Sequence, residues 1–221
     1  MNPTRRVAIV GAAPGAVRPC PLPEDAWWIA ADGGAAACLS WGVVPGLVIG
    51  DGDSLDPQVA EELRRRGVAF RHYPRDKDAT DLELALDEAL NRGAEEIDLF
   101  GVLGGRWDHS LANVLLPARP AYAAARIQAP GEEQSLYWLR PGRLLELSGH
   151  PGRSVSLLPL GGEARAVTTS GLRFPLDRQT LAHGDSRGMS NVMTGERATV
   201  RLEAGVLLAV GPPGGQQLAD G

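Results

Sequence analysis

Across the first hundred residues, short continuous apolar runs alternate with stretches of helical periodicity. Residues 7–10, 28–31, 47–50 and 97–100 are runs of strand length, and each stops at a glycine or an aspartate: Gly11, Asp32, Asp51 and Gly101. Helical patterns fall at 34–41, 57–66, 81–91 and 108–115. The helix after Thr80 is marked most clearly. Thr80-Asp81-Leu82-Glu83 matches a capping box, Leu82, Ala85, Leu86 and Ala89 recur at helical spacing, and Gly93 is placed to stop it. Unbroken apolar strands separated by helices predict a mainly parallel sheet with helices on both faces.

The pattern changes near residue 130. Runs at 135–139, 144–147, 154–158, 198–202 and 206–210 are short, alternating and punctuated by Gly and Pro. They predict an all-β domain of antiparallel strands, sandwich- or barrel-like. The expected organisation is therefore an α/β domain over 1–128, a β domain over 129–211, and a disordered tail over 212–221, where Gly, Pro and Gln leave little to bury.

Composition narrows the partners. The 22 basic and 27 acidic residues give a net charge of −5, which argues against general affinity for nucleic acid or anionic lipid. No apolar run approaches the roughly 18 residues that span a bilayer. Arg5-Arg6 before an apolar run imitates a signal peptide, but Gly11, Pro14 and Gly15 interrupt it. Two cysteines, Cys20 and Cys38, make neither a disulfide framework nor a metal site, and the cytoplasm is the expected compartment. Residues 1–118 hold 18 acids and 11 bases, whereas 119–221 hold 9 and 11, so the acidity belongs to the α/β part.

The placement of the carboxylates gives that acidity a role. Asp32 and Asp51 directly follow apolar strands, and in open α/β sheets ligands bind beyond the carboxyl ends of strands. Asp53 follows one glycine later in Gly50-Asp51-Gly52-Asp53-Ser54, and Asp76, Asp78 and Asp81 form a second cluster. Any single Asp suits a turn or a helix N-terminus. Two at strand ends, with a third on the same turn and no His or Cys beside them, point to a hard cation, Mg²⁺ rather than zinc. Mg²⁺ commonly shares its shell with substrate phosphates, so a phosphate cradle is expected. There is no P-loop. The alternative is Gly101-Val102-Leu103-Gly104-Gly105-Arg106, after a strand and before a helix, where backbone amides and a guanidinium can meet an anion. His109 and Asn113 share a face of that helix, and a lone His is more often structural than catalytic.

In this order, the motifs Ala31-Asp32-Gly33-Gly34-Ala35, Gly50-Asp51-Gly52-Asp53-Ser54, Asp76-Lys77-Asp78-Ala79-Thr80-Asp81 and Gly104-Gly105-Arg106-Trp107-Asp108-His109 resemble the thiamine pyrophosphokinase family. Leu111-Ala112-Asn113 continues the last motif. Thr168-Thr169-Ser170-Gly171-Leu172 and Ser190-Asn191 resemble that family's thiamine-side motifs, and the likeness runs from about residue 7 to 210. The resemblance implies transfer of a diphosphoryl group from ATP to the hydroxyl of thiamine, by a homodimer with active sites at the subunit interface. It implies Mg²⁺ on Asp51, Asp53 and Asp81. Asp32, Gly33, Gly34, Lys77, Asp78, Thr80, Gly104, Gly105, Asp108, His109 and Asn113 would lie on the ATP side, with Arg106 steadying the phosphates. Phe174, Ser190 and Asn191 would lie on the thiamine side. Phe174 stands where some members have Trp, and Val192 where many bacterial members have Glu. A related diphosphokinase acting on another alcohol, such as a hydroxymethylpterin, and a non-catalytic nucleotide-binding module remain open alternatives. Lys77 is the only lysine of the chain, and it falls inside the Asp76–Asp81 motif.

Overall fold

The apolar runs become strands whose two faces are both covered. In the computed structural model, which describes residues 6–23 and 25–220, the chain divides into two compact units, Met1–Leu116 and Pro117–Gly221. The first contains β1 (Arg6–Val10), β2 (Trp27–Ala31), α1 (Gly34–Ser40), β3 (Leu47–Gly50), α2 (Pro57–Arg65), β4 (Ala69–His72), α3 (Asp81–Asn91), β5 (Glu96–Phe100) and α4 (Trp107–Leu115). Its strands run parallel in the order β5-β1-β2-β3-β4.

Alternate strand residues explain why helices lie on both faces. Ala8, Val10, Trp28, Ala30, Val48 and Phe100 cluster with Ala35 and Cys38 of α1 and Leu63 of α2. Residues of the other parity, Val7, Ile9, Ile29, Ile49, Ile97 and Leu99, are equally buried. The second helix layer is α3, which packs on β1, β2 and β3 with Leu82, Ala85, Leu86 and Ala89 buried. Cys38 is a core thiol, and burial pushes its pKa up to about 12.

Strand β4 was not expected. Its residues Ala69-Phe70-Arg71-His72 are mostly exposed and show no apolar run. It forms because the edge of β3 needs a hydrogen-bonding partner and because charge fixes it: Arg71 pairs with the buried Glu88 of α3, which Arg92 also contacts at 2.8 Å.

The second unit is antiparallel. It contains β6 (Arg126–Ala129), β7 (Ser135–Leu139), β8 (Arg143–Ser148), β9 (Ser154–Pro159), β10 (Ala164–Ser170), β11 (Gln179–Leu181), β12 (Asn191–Val192), β13 (Arg197–Arg201), β14 (Leu207–Gly211) and β15 (Gln216–Ala219). Strands β12-β9-β14-β7-β6 and β11-β10-β13-β8-β15 make two layers around a shared core that includes Leu139, Leu145, Leu157, Val167, Val200 and Leu207. The two compact units meet at Leu116 and Pro117, and in the second β6 pairs antiparallel with β7.

The expectation of a disordered tail over 212–221 is corrected. Strand β15 pairs with β8 over Gln216–Ala219, and the buried Tyr137 hydroxyl donates to Pro212 O and accepts from Gly215 N–H, each at 2.8 Å. Backbone pairing and one aromatic anchor order a segment that has few apolar side chains of its own. Of the residues discussed from sequence, Arg5 and Gly221 lie outside those described.

Candidate active site

Four strand ends build the site. Strands β1, β2, β3 and β5 are parallel neighbours, so the loops that follow them open on one edge. Gly11 N–H donates to Phe100 O at 2.8 Å and Ala13 N–H to Gly101 O at 2.9 Å, which carries the β1–β5 pairing into the loops. These loops, with Arg75, Lys77 and the start of α3, line a cleft of about 690 Å³.

Asp32 lies at the floor, 5% exposed, with φ of +45°. A non-glycine residue in that region carries strain, and such strain gathers at functional positions. The surroundings hold it there. Asp32 N–H donates to Ile49 O at 2.7 Å, and Ser54 N–H donates to its Oδ2 at 3.1 Å. Gly50 leaves room for it, since a Cβ there would come within 2.8 Å of Asp32 Cβ.

Asp51 and Asp53 form one tight turn, Asp53 N–H donating to Asp51 Oδ1 at 3.0 Å. Carboxylate oxygens of Asp32, Asp51 and Asp53 lie within 4.8 Å of one another. Two oxygens bound to one Mg²⁺ at about 2.1 Å can lie at most about 4.2 Å apart, so a small closure completes the arrangement. Asp32 Oδ1 is buried and accepts no hydrogen bond. An orphaned oxygen beside two more carboxylates fits a hard cation.

Asp81 is set differently. Lys77 Nζ stands between it and the triad, 3.1 Å from Asp81 Oδ1 and 3.5 Å from Asp51 Oδ2. The contact with Asp81 is an ion pair not aligned as a hydrogen bond, and this buried oxygen accepts none. Burial raises the Asp81 pKa; Lys77 opposes that, while Asp32 and Asp51 add to it. The N–H of Asp53, followed by the charge of Lys77, lowers that of Asp51 despite some desolvation. Burial also works against the Lys77 charge, but Asp81 and Asp51 outweigh it and the ammonium titrates above an ordinary lysine. Arg75 lies 3.6 Å from Asp53.

The opposite wall is the glycine loop and α4. Asn113 Nδ2 donates to Val102 O at 2.8 Å, and Ser110 Oγ accepts from Gly104 N–H at 3.0 Å, so α4 anchors the loop before it. Arg106 is folded onto Asp108, with Nε to Oδ1 at 3.1 Å and a second nitrogen to Oδ2 at 2.5 Å. That fork, with the N–H of His109, lowers the Asp108 pKa to about 2.

A depressed carboxylate pKa adds stability above the unfolded-state value of about 3.9, and the contribution fades as pH falls towards 2. The Asp108 carboxyl should therefore titrate near 2 by NMR. Arg106→Ala should move that midpoint up towards the ordinary value. A wild-type midpoint near 4 would mean that the pair does not persist in solution.

Most of the expected ATP-side residues line this cleft: Asp32, Lys77, Thr80, Gly104, Gly105, His109 and Asn113, together with Asp51, Asp53, Asp81 and Arg106. Gly33, Gly34, Asp78 and Asp108 do not line it. Gly34 is buried against Val10 O, and the Thr80 hydroxyl caps α3 by accepting Glu83 N–H at 3.2 Å. Sequence reasoning missed Ala12, Ala13, Ser110 and Arg75. The break in apolarity at Gly11-Ala12-Ala13-Pro14-Gly15 was a usable signal for the first two, because it follows β1, an inner strand of the sheet.

Of the residues expected on the thiamine side, all within the second unit, Phe174 is 65% exposed. Asn191 is buried, and Ser190 has φ of +56° with its N–H donated to Ser156 Oγ at 3.0 Å.

Comparisons with known proteins place the chain in a family. The model of the thiamin pyrophosphokinase catalytic domain matches residues 22–129, and that of the thiamin pyrophosphokinase vitamin B1 binding domain matches residues 144–207. The chain belongs to the thiamin pyrophosphokinase family. It is 29% identical to the thiamine pyrophosphokinase of Bacillus subtilis over 187 residues, 85% of this chain and 87% of that protein. Thiamine pyrophosphokinase 1 of rice is 31% identical over 169 residues, 72% of this chain and 62% of the longer plant protein. The crystal structure of the B. subtilis family member superposes with a TM-score of 0.83 at 26% identity, covering 94% of this chain and 99% of that one. That from Geobacillus thermodenitrificans gives 0.79 at 28% identity, covering 94% and 97%. The catalytic-domain match runs past Leu116 through β6 to residue 129, and the vitamin B1 binding match lies wholly within the second unit.

Proposed function

We propose that this chain transfers the diphosphoryl group of ATP to the hydroxyl of thiamine, releasing thiamine diphosphate and AMP, with Mg²⁺ held by Asp32, Asp51 and Asp53. The observation that carries the reading is the convergence of these three carboxylates at the carboxyl edge of the parallel sheet, opposite a glycine loop. Asp81, whose Oδ1 lies 3.1 Å from Lys77 Nζ, would be free to hold the ion as well if that ammonium paired with a phosphate oxygen instead.

In the reaction, the thiamine oxygen forms a bond to the β-phosphorus, the bond from that phosphorus to the α–β bridging oxygen breaks, and the hydroxyl proton is lost to solvent. Bound Mg²⁺ neutralises charge that develops on the phosphate oxygens. The protein's share is alignment. The glycine loop 101–105 would receive the phosphates, Arg106 exchanges Asp108 for a phosphate oxygen, and Lys77 supplies a second mobile cation. The acidity of the first unit suits an anionic substrate only when it carries a divalent cation.

Phe174, Ser190 and Asn191 form the thiamine side, where an aromatic face suits a cationic heterocycle. The chain works as a homodimer. Helix α4 has no buried residue and carries Trp107, Leu111 and Leu115 on one face, 82%, 60% and 52% exposed, which suits a second copy. The compartment is the cytoplasm, in keeping with two free cysteines and with no described helix long and apolar enough to cross a membrane.

Steady-state assays with ATP and Mg²⁺ should release AMP with thiamine as acceptor and not with a hydroxymethylpterin. Release with the pterin alone would reassign the acceptor, and ATP binding without turnover would make the chain a nucleotide-binding module.

A further inference from the structure

The segment after β10 leaves its sheet at Gly171 and runs back beside β12. Thr194 N–H donates to Gly171 O at 2.9 Å, Leu172 and Met193 form an isolated bridge, and Arg173 N–H donates to Val192 O at 2.9 Å. At the next residue a side chain replaces the backbone as partner. Phe174 N–H donates to Asn191 Oδ1 at 3.1 Å, and Asn191 Nδ2 donates to Phe174 O at 2.7 Å. A primary amide offers the same donor and acceptor as a peptide group, so Asn191 adds one rung to the ladder from its side chain.

The amide has little left to give. Its Oδ1 also accepts Val192 N–H at 2.9 Å, and the residue is 8% exposed. The Phe174 ring, in contrast, is mostly exposed, so its direction depends on the backbone that carries it. Ser190 is exposed, which leaves it as the member of the Ser190-Asn191 pair able to reach a ligand.

We propose that Asn191 is a positioning residue: it fixes the Phe174 main chain so that the ring presents its face to thiamine, and it does not itself touch thiamine. This rests on the reading of Phe174 as the thiamine-side aromatic. An Asp at 191 would keep the acceptor for Phe174 N–H but set a carboxylate against Phe174 O, so the position calls for an amide.

The test is a double-mutant cycle in thiamine kinetics on the full chain. Asn191→Ala should raise the KM for thiamine about tenfold through the loss of its two hydrogen bonds to Phe174, with kcat and the KM for ATP within about twofold of wild type. Asn191→Asp, which keeps the acceptor for Phe174 N–H but sets a carboxylate against Phe174 O, should raise the KM for thiamine at least as much. In a Phe174→Ala background, Asn191→Ala should add less than about twofold, because no ring remains to be placed. An equal rise in both backgrounds would overturn the proposal and make Asn191 an independent thiamine contact. A joint loss of kcat and ATP binding would overturn it in favour of a general structural role. A wild type that turns over ATP but not thiamine would instead remove the reading of Phe174 on which the role depends.

Discussion

Asp51→Asn should lower turnover by about a thousandfold or more, with circular dichroism and the thermal midpoint close to those of the wild type. The substitution separates charge from shape. An Asn at 51 still offers an oxygen to Asp53 N–H, now bonded at 3.0 Å, so the turn survives. What disappears is one of three negative oxygens within 4.8 Å, together with the counter-charge 3.5 Å from Lys77 Nζ. Asp53→Asn should behave alike, since Ser54 Oγ can still donate to the amide oxygen it now meets at 3.1 Å. Both variants should also bind Mn²⁺ more weakly in the absence of nucleotide, a readout independent of catalysis. Near-wild-type turnover at saturating Mg²⁺ would remove the metal from these residues.

The largest expected effect on stability is at Gly34. Intrinsic propensity favours Ala over Gly inside a helix by about 1 kcal/mol, so Gly34→Ala taken alone should stabilise α1. Packing reverses the sign. A Cβ at 34 would lie 2.0 Å from Val10 O, 2.7 Å from Val10 C and 3.0 Å from Gly11 O, all backbone atoms of β1 and its loop. Side chains cannot rotate away to relieve this, so the helix must lift from the sheet. We expect a loss of about 3 kcal/mol, roughly a 10 °C fall in thermal midpoint for a chain of this size. Ala36→Gly, on the exposed side of α1, should cost about 1 kcal/mol by propensity alone. If Gly34→Ala proved neutral or stabilising, the close contact between α1 and β1 would be wrong.

The strands that hold the site were readable because they are buried on both faces and need apolar side chains at every position. The same pattern placed Asp32 and Asp51 at strand ends, where the structure brings them together with Asp53. Strand β4 had no such signal, since edge pairing and the Arg71–Glu88 contact fix it rather than apolar periodicity. Strand β15 was hidden for a related reason, as backbone hydrogen bonds to β8 and the Tyr137 hydroxyl order it. The family resemblance marked Gly34 as part of a motif, but its role as a packing contact is three-dimensional. Lys77 was conspicuous as the only lysine, yet its bridge between Asp51 and Asp81 needs a loop to meet the start of α3. Asn191 was legible only as a motif residue; that its amide is spent on the Phe174 backbone depends on two segments 17 residues apart running side by side.

The products of a single reaction test the central claim most directly. Protein, ATP, Mg²⁺ and thiamine are incubated together, and phosphorus NMR follows the nucleotide and the vitamin. The account predicts AMP and thiamine diphosphate in equal amounts, with the β and γ phosphorus atoms transferred as one unit. ADP with thiamine monophosphate, or ATP left intact beside thiamine, would contradict it.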